Sequence, residues 1–130
     1  MKIDSNQNPR ILIIEDDLML AKMYQTKFEV EKIAAEIAGT GKEALQKAKA
    51  GDYRLILLDI LLPEVDGFEI LKQLKRDDQT KDIPVIILTN LGTSQILVKE
   101  GMKLGAADYL IKSQVSANEV VQKVKQNLKK

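Results

Sequence analysis

Four short segments of the chain are almost continuously apolar, and polar stretches with helical spacing separate them. Runs of this kind are typical of parallel strands that are buried on both faces of a sheet. A fifth segment is weaker and alternates in part, as a strand at the edge of a sheet would. The predicted strands are the apolar runs at residues 11–14, 55–58, 85–88 and 109–111, and the weaker segment at residues 34–39.

Helical spacing follows the predicted strands. Tyr24 and Phe28 stand four positions apart with Ala21 a turn earlier, and the last helix places Val124 and Leu128 on one face. Strand and helix alternate five times along the chain. This order predicts the α/β class, with a doubly wound sheet of five parallel strands and right-handed crossovers.

Composition narrows the classes of function. The chain has 130 residues, which suits one domain, and it contains no Cys and no His. Disulfides, Ser–His or Cys–His catalysis, an ordinary zinc site and a phosphohistidine of its own are therefore excluded. A net charge of +1 gives no reason to expect nucleic-acid binding, and we interpret the lysines of the last helix as a solvated face. The polar N-terminus and the lack of an apolar run of about 18 residues favour a cytoplasmic protein without membrane insertion.

Polar side chains stand directly after four of the predicted strands. Glu15 and Asp16 follow the first strand, Asp59 the third, Thr89 the fourth and Lys112 the fifth. Ligands of open α/β sheets bind at the carboxyl ends of the strands, so we expect these side chains to form one pocket. Crowded carboxylates repel unless a cation lies between them, and oxygen ligands without His or Cys suit Mg²⁺. A hydroxyl and an ammonium beside that cation would suit a phosphoryl group, which makes the lone carboxylate of Asp59 the candidate phosphoryl acceptor.

These residues in this order, with the DILLPEVDG stretch that begins at Asp59, resemble a response-regulator receiver domain. The resemblance covers essentially the whole chain from about Arg10. It implies a flavodoxin-like sheet with the strand order 2-1-3-4-5. We accordingly divide the chain into a flexible N-terminal tail at residues 1–9 and a receiver domain at residues 10–130.

The resemblance also implies a reaction and a metal. Asp59 would accept a phosphoryl group from a phosphohistidine on a sensor histidine kinase or a histidine phosphotransfer protein, within a two-component system or phosphorelay. Asp16 and Asp59 would bind Mg²⁺ through their side chains and Leu61 through its backbone carbonyl. Glu15 would act on the metal mainly through water.

The remaining roles implied by the resemblance concern the phosphoryl oxygens and the output. Thr89 and Lys112 would bind those oxygens, and Tyr109 would be a switch aromatic, together with Thr89, on the face that meets a downstream target protein. Such a domain catalyses only its own phosphorylation and dephosphorylation. We expect it to stand alone without an output domain, or to have been cut from a longer protein.

Single residues within the pattern have simpler interpretations. Asp17 suits the N-cap of the first helix, Asp66 and Gly67 suit a turn into the third, and Tyr109 taken alone suits a plain core or surface position. Only the joint pattern favours a phosphoryl site.

Two positions depart from the family pattern. Ser113 follows Lys112 where such domains commonly have a proline with a cis bond, and a cis bond before any other residue costs about 3 kcal/mol. A trans bond is thus favoured, and it leaves the placement of Lys112 open. Asn90 follows Thr89 where a small residue is usual, and we expect it to narrow the mouth of the pocket.

A nucleotide-binding α/β domain is the alternative. Gly39, Gly41 and Ala44 match the G-x-G-x-x-A fingerprint of dinucleotide-binding domains, after a predicted strand and at the start of a helix. The fingerprint normally follows the first, central strand, whereas this one follows the weakest, and it leaves the strand-end cluster unexplained. The simpler interpretation makes Gly41 a turn residue with a positive φ.

Two other phosphate-handling motifs fail at single residues. A P-loop would require glycine where Glu36 stands and Ser or Thr where Glu43 stands. A phosphatase with an Asp-x-Asp nucleophile would require a second acid where Leu61 stands.

Overall fold

Strands and helices alternate along the whole of the computed structural model, which describes residues 9–91 and 95–129. The strands are β1 (Arg10–Ile14), β2 (Ala34–Ala38), β3 (Leu55–Leu58), β4 (Val85–Thr89) and β5 (Asp108–Ile111). The helices are α1 (Leu18–Val30), α2 (Gly41–Ala50), α3 (Gly67–Arg76), α4 (Gln95–Lys103) and α5 (Ala117–Leu128). A single 3₁₀ turn (Lys112–Gln114) follows β5.

The five strands form one parallel sheet in the order β2-β1-β3-β4-β5. This confirms the predicted class and strand order, and it places the weakest predicted strand at an edge. Residues 1–8 of the predicted tail lie outside the described residues. The carbonyl of Pro9 accepts the N–H of Ala34 at 2.8 Å, so hydrogen bonding to β2 begins just before β1.

Both faces of the sheet are covered by helices, which explains the continuous apolar runs. Ile11 and Ile13 of β1 point into a layer shared with α1 and α5, whereas Leu12 and Ile14 point into a layer shared with α2, α3 and α4. Successive residues of a strand face opposite sides, so a strand covered on both sides has no solvent-facing position. No helix within the described ranges has both the length and the apolar character needed to cross a membrane.

Two of the simpler interpretations of single residues are confirmed at helix N-termini. The Asp17 carboxylate accepts the N–H of Leu20 as the N-cap of α1, and the Asp66 carboxylate accepts the N–H of Phe68 as the N-cap of α3. Both caps satisfy backbone donors that have no partner within their helix.

The interpretation of Gly41 as a turn residue with a positive φ is wrong. Among the described residues, the positive φ angles belong to Lys32, Glu64 and Gly105. A Cβ on Gly41 would lie 2.5 Å from Val65 Cγ1 and 2.8 Å from Ile70 Cδ1. Gly41 is therefore needed for the close packing of α2 against α3 and the loop before it.

Candidate functional site

The carboxyl ends of the strands bring the predicted polar residues to one edge of the sheet. Ile14 of β1 pairs with Leu58 of β3, so Glu15 and Asp59 follow the sheet in register. Their backbones continue the ladder, because the N–H of Asp59 donates to the carbonyl of Ile14 at 3.0 Å. On the other side of β3, Thr89 ends β4 opposite Ile111, directly before Lys112. Parallel pairing alone thus assembles a site from residues far apart in sequence.

Three carboxylates meet at this edge. Carboxylate oxygens of Glu15, Asp16 and Asp59 all lie within 4.8 Å of one another. Glu15 and Asp59 are only 5% and 6% exposed, and Asp16 faces solvent. An oxygen-only cluster with one solvent-exposed member fits a hard divalent cation such as Mg²⁺, which binds few protein ligands and keeps several waters. The predicted backbone ligand, the Leu61 carbonyl, stays a prediction.

Lys112 reaches into the cluster from the end of β5. Its Nζ donates to Asp59 Oδ2 at 2.7 Å and also to Glu15 Oε1, and its side chain is only 13% exposed. Burial lowers the pKa of Lys112, but its hydrogen bonds and charge interactions with Asp59 and Glu15 outweigh burial and leave the pKa raised. Burial raises the pKa of Glu15, and the hydrogen bond from Lys112 opposes that rise. The ammonium is thus held charged between two carboxylates that would otherwise repel.

The second oxygen of Asp59 is held by the backbone. The N–H of Leu61 donates to Asp59 Oδ1 at 2.9 Å, and Leu61 forms an isolated antiparallel bridge with Asp66 at the start of α3. The Leu61 side chain is 52% exposed. The carboxylate of Asp59 is therefore fixed in orientation at both oxygens, with an apolar side chain beside it at the surface.

One intervening residue joins the two predicted switch residues. Thr89 is completely buried, and its Oγ1 accepts the N–H of Leu91 at 3.2 Å. The carbonyl of Leu91 in turn accepts the hydroxyl of Tyr109 at 2.6 Å. Tyr109 is 9% exposed, so its ring lies inward in this structure, and burial raises its pKa with a contribution from the charge of Asp59. Sequence reasoning named Thr89 and Tyr109 but missed the role of the Leu91 backbone.

The two departures from the family pattern contact each other. Asn90 Oδ1 accepts the backbone N–H of Ser113 at 3.0 Å. No cis peptide bond occurs between described residues, so the bond between Lys112 and Ser113 is trans. The sequence signals for this contact were the two unusual residues, but nothing in the sequence indicated that they pair.

The N-terminus of α2, where a dinucleotide would place its phosphates, is taken by the chain's own carboxylate. Glu43 Oε1 accepts the N–H of Gly39 at 2.8 Å, and Thr40 Oγ1 accepts the N–H of Glu43 as the N-cap. Helix N-termini attract anions, but here the Thr40 hydroxyl holds one free N–H of the helix, and the anionic Glu43 side chain holds the N–H of the residue before the N-cap. The fingerprint also follows the edge strand β2 rather than the central strand that such a fingerprint normally follows.

A profile of the family described as response regulator receiver domain matches residues 11–125. RpaA of Synechocystis sp., described as a DNA-binding dual master transcriptional regulator, is 40% identical over 104 residues, which cover 80% of this chain and 43% of RpaA. The transcriptional regulatory protein ResD of Bacillus subtilis is 33% identical over 128 residues, which cover 98% of this chain and 51% of ResD. The chain spans about half the length of these curated relatives.

Solved structures give the same assignment. The receiver domain of the Francisella response regulator 1452 is 38% identical with a TM-score of 0.86, covering 94% of this chain and 98% of that one. A CheY-like response regulator receiver domain protein from Methanospirillum hungatei is 29% identical with a TM-score of 0.85, covering 94% of each chain. Since the family profile spans the sheet from β1 to α5 and the strand order agrees, this chain belongs to the response regulator receiver domains of two-component signalling.

Proposed function

We propose that this domain takes a phosphoryl group onto Asp59 from a phosphohistidine of a partner protein, with Mg²⁺ as cofactor. One observation supports this most directly. The Asp59 carboxylate is nearly buried, is hydrogen-bonded to the Lys112 ammonium, and lies within reach of the oxygens of Glu15 and Asp16. Phosphoryl transfer to a carboxylate requires a nucleophile, a fixed cation and carboxylates that can bind a divalent metal ion.

The transfer would be a displacement at phosphorus. An Asp59 oxygen forms the new P–O bond as the P–N bond of the phosphohistidine breaks, and the imidazole leaves with the electron pair and takes up a proton. Hydrogen bonds from Leu61 and Lys112 orient the two oxygens of Asp59 before the donor arrives. Such orientation lowers the entropy cost of reaching the transition state.

The developing charge on the phosphoryl oxygens needs positive charge and donors around it. When bound by Glu15, Asp16 and Asp59, Mg²⁺ would supply part of that charge. Lys112 would follow the new oxygens with its ammonium, because its Nζ already contacts Asp59. Thr89 would donate its hydroxyl from the end of β4.

Intact mass tests this proposal. The wild-type protein incubated with acetyl phosphate and Mg²⁺ should gain one phosphoryl group, and EDTA should prevent the gain. Asp59→Asn keeps the size of the side chain and should gain none, whereas Asp66→Asn, an acid at the nearby helix N-cap, should behave as the wild type. Phosphorylation of the Asp59→Asn variant, or an unchanged gain in EDTA, would overturn the proposal.

Output would run through the Thr89–Leu91–Tyr109 chain of hydrogen bonds. A Thr89 hydroxyl that turns to a phosphoryl oxygen changes its contact with the N–H of Leu91, and the Leu91 carbonyl holds the Tyr109 hydroxyl. Phosphorylation would then shift the population between existing arrangements of Tyr109 and favour the inward one.

The partners follow from this arrangement. The donor would be a sensor histidine kinase or a histidine phosphotransfer protein, and the target would be a protein that contacts the Tyr109 face. The names of RpaA and ResD assign transcriptional regulation to longer proteins. We propose that this chain supplies the phosphorylation-dependent part of such a pathway in the cytoplasm, without direct contact to nucleic acid or insertion into a membrane.

A further inference from the structure

We propose that Asn90 is a positioning residue for the phosphoryl site. It holds the backbone N–H of Ser113 and thereby fixes the loop that carries Lys112 against the loop that begins at Thr89. This inference rests on the proposed function, since it assigns Asn90 a part in the reaction at Asp59.

The hydrogen bond lies just beyond the end of the sheet. The ladder between β4 and β5 ends at the pair Thr89 and Ile111. The next residue of each strand leaves the ladder, and there the Asn90 side chain accepts the N–H of Ser113 at 3.0 Å. A side chain therefore continues the connection between the two strands after their backbones separate.

Ser113 needs such an acceptor because of its local structure. It lies inside the 3₁₀ turn (Lys112–Gln114), whose N-cap residue, Ile111, provides no side-chain hydrogen bond. The first N–H groups of a helical turn have no partner within the turn, and a polar side chain usually caps them. Asn90 supplies this cap from the neighbouring strand rather than from the turn itself.

Because Ser113 directly follows Lys112, the hydrogen bond between Asn90 and Ser113 also restrains the backbone of Lys112. Lys112 is held on one side by the ladder at Ile111 and on the other by Asn90 through Ser113. Its Nζ must meet the oxygens of both Glu15 and Asp59 from the end of a long side chain. Small displacements of a catalytic group can reduce a rate strongly, so a second anchor for the Lys112 backbone matters to the reaction.

The expected effect of losing the anchor is moderate. Asn90 and Ser113 are exposed, and one solvent-accessible hydrogen bond shifts a local equilibrium by about three- to tenfold. We therefore expect Asn90→Ala to slow phosphorylation by acetyl phosphate by about three- to tenfold. The N–H of Ser113 should exchange with solvent faster by a similar factor.

Two variants at residue 113 distinguish a positioning role of Asn90 from a direct action of Asn90 on the donor or the pocket. Ser113→Ala keeps the backbone N–H and loses only the hydroxyl, whereas Ser113→Pro removes the N–H itself. The experiment measures the effect of Asn90→Ala on the phosphorylation rate in each background, below the unfolding transition of every variant. We expect the full effect in the Ser113→Ala background and less than about twofold in the Ser113→Pro background, where there is no N–H left to hold.

Every outcome of this experiment either supports or contradicts the positioning role of Asn90. An equal effect of Asn90→Ala in both backgrounds means that Asn90 acts on the donor or the pocket directly, and it overturns the inference. Unchanged amide exchange at Ser113 in Asn90→Ala overturns it as well, whatever the rates. A wild-type protein that gains no phosphoryl group on Asp59 refutes the proposed function, and with it the part of Asn90 in the reaction. The exchange measurement then still reports whether Asn90 holds the loop.

Discussion

Lys112 is the cation shared by the two buried carboxylates, Glu15 and Asp59. Lys112→Ala would leave both without their ammonium, and we expect it to lower the free energy of unfolding by about 3 kcal/mol. A divalent cation bound by the carboxylates should replace part of the lost charge. Mg²⁺ should therefore raise the melting temperature of Lys112→Ala more than that of the wild type.

Thermal unfolding with MgCl₂ and with EDTA measures this difference. The matched control is Lys112→Ala combined with Asp16→Asn, which removes the solvent-exposed metal ligand and should lose the Mg²⁺ response. Equal Mg²⁺ shifts in the wild type and in Lys112→Ala would show that the cation does not replace the ammonium.

Leu61 forms part of the surface beside Asp59. Its backbone holds Asp59 while its half-exposed apolar side chain offers no hydrogen bond to a water. Hydrolysis of an aspartyl phosphate needs a positioned water, so we expect slow self-dephosphorylation. Leu61→Asn should speed the decay about tenfold, equivalent to one orienting hydrogen bond.

Leu61→Met is the control of similar size and polarity and should decay like the parent. The decay is followed by intact mass in Mg²⁺ after removal of acetyl phosphate. Leu91 is apolar as well, but a substitution there is a poorer test because its backbone binds Thr89 and Tyr109. If Leu61→Asn and the parent lose the phosphoryl group equally fast, Leu61 does not set the lifetime.

At the scale of elements, Gly101 allows α4 to pack closely against the buried Tyr109 ring. A Cβ on Gly101 would lie 2.7 Å from Ile87 Cδ1 and 3.0 Å from Tyr109 Cδ2. Alanine is the better helix former by about 1 kcal/mol, yet here its methyl group would overpack the core. We expect Gly101→Ala to destabilise the protein by about 1–2 kcal/mol and to expose Tyr109.

Urea unfolding and nitration of Tyr109, mapped by mass spectrometry, measure the two effects of Gly101→Ala. Gly39→Ala is the matched control, because its Cβ would approach nothing closer than Glu43 Oε1 at 4.0 Å. An unchanged nitration rate at Tyr109 would show that Gly101 does not control the position of the ring.

The edge strand β2 depends on a carboxylate whose contribution varies with pH. Hydrogen bonds from the Tyr53 hydroxyl and from Arg10 hold the pKa of Glu36 below its ordinary value of 4.5. A lowered pKa in the folded state means that the stabilisation is present above pH 4.5 and is lost as the pH falls through the lowered value. Because the side chains of Arg10 and Glu36 are 40% and 43% exposed, Glu36→Gln should cost less than about 1 kcal/mol near neutral pH.

The measurement is the difference in unfolding free energy between Glu36→Gln and the wild type from pH 7 down to pH 3. The difference should shrink towards the acid end. Tyr53→Phe removes the hydroxyl that donates to the Glu36 carboxylate and should reduce the pH dependence. A difference that grows as the pH falls has the wrong sign for this mechanism.

The sequence predicted elements better than contacts between elements. Strands came from apolar runs because burial on both faces leaves a local signal, and the strand ends pointed to Asp59 and Lys112. The cap of Asn90 on Ser113 depends on how two loops leave the sheet, which no local pattern records. Gly41 was misinterpreted because a glycine after a strand can serve either a positive φ or close packing, and only its neighbours in space distinguish the two.

At the scale of the whole molecule, hydrogen bonds through Leu91 connect Thr89, at the site, to Tyr109 of β5. Because hydrogen bonds link Thr89 to Leu91 and Leu91 to Tyr109, we expect a phosphoryl mimic such as beryllofluoride to change the amide chemical shifts of Leu91 and of residues in β5 and α4. Ala34 and Ala35, at the start of the edge strand β2, should change little, because they lie at the end of the strand away from Glu15 and Asp59. Changes confined to residues around Asp59, with none at Leu91 or Tyr109, would exclude this route.

The site also has a consequence for how the protein is made. Lys112 lies 97 positions from Glu15 and 53 from Asp59, and it directly follows the last strand of the sheet. A nascent chain that has emerged only through β4 therefore has its acceptor but not its ammonium. Fragments released early by the ribosome, or trimmed by a protease before β5, are expected to be poor phosphoryl acceptors. We therefore expect the domain to accept a phosphoryl group only after β5 and Lys112 have been synthesised, so that fragments ending before β5 would not enter the pathway.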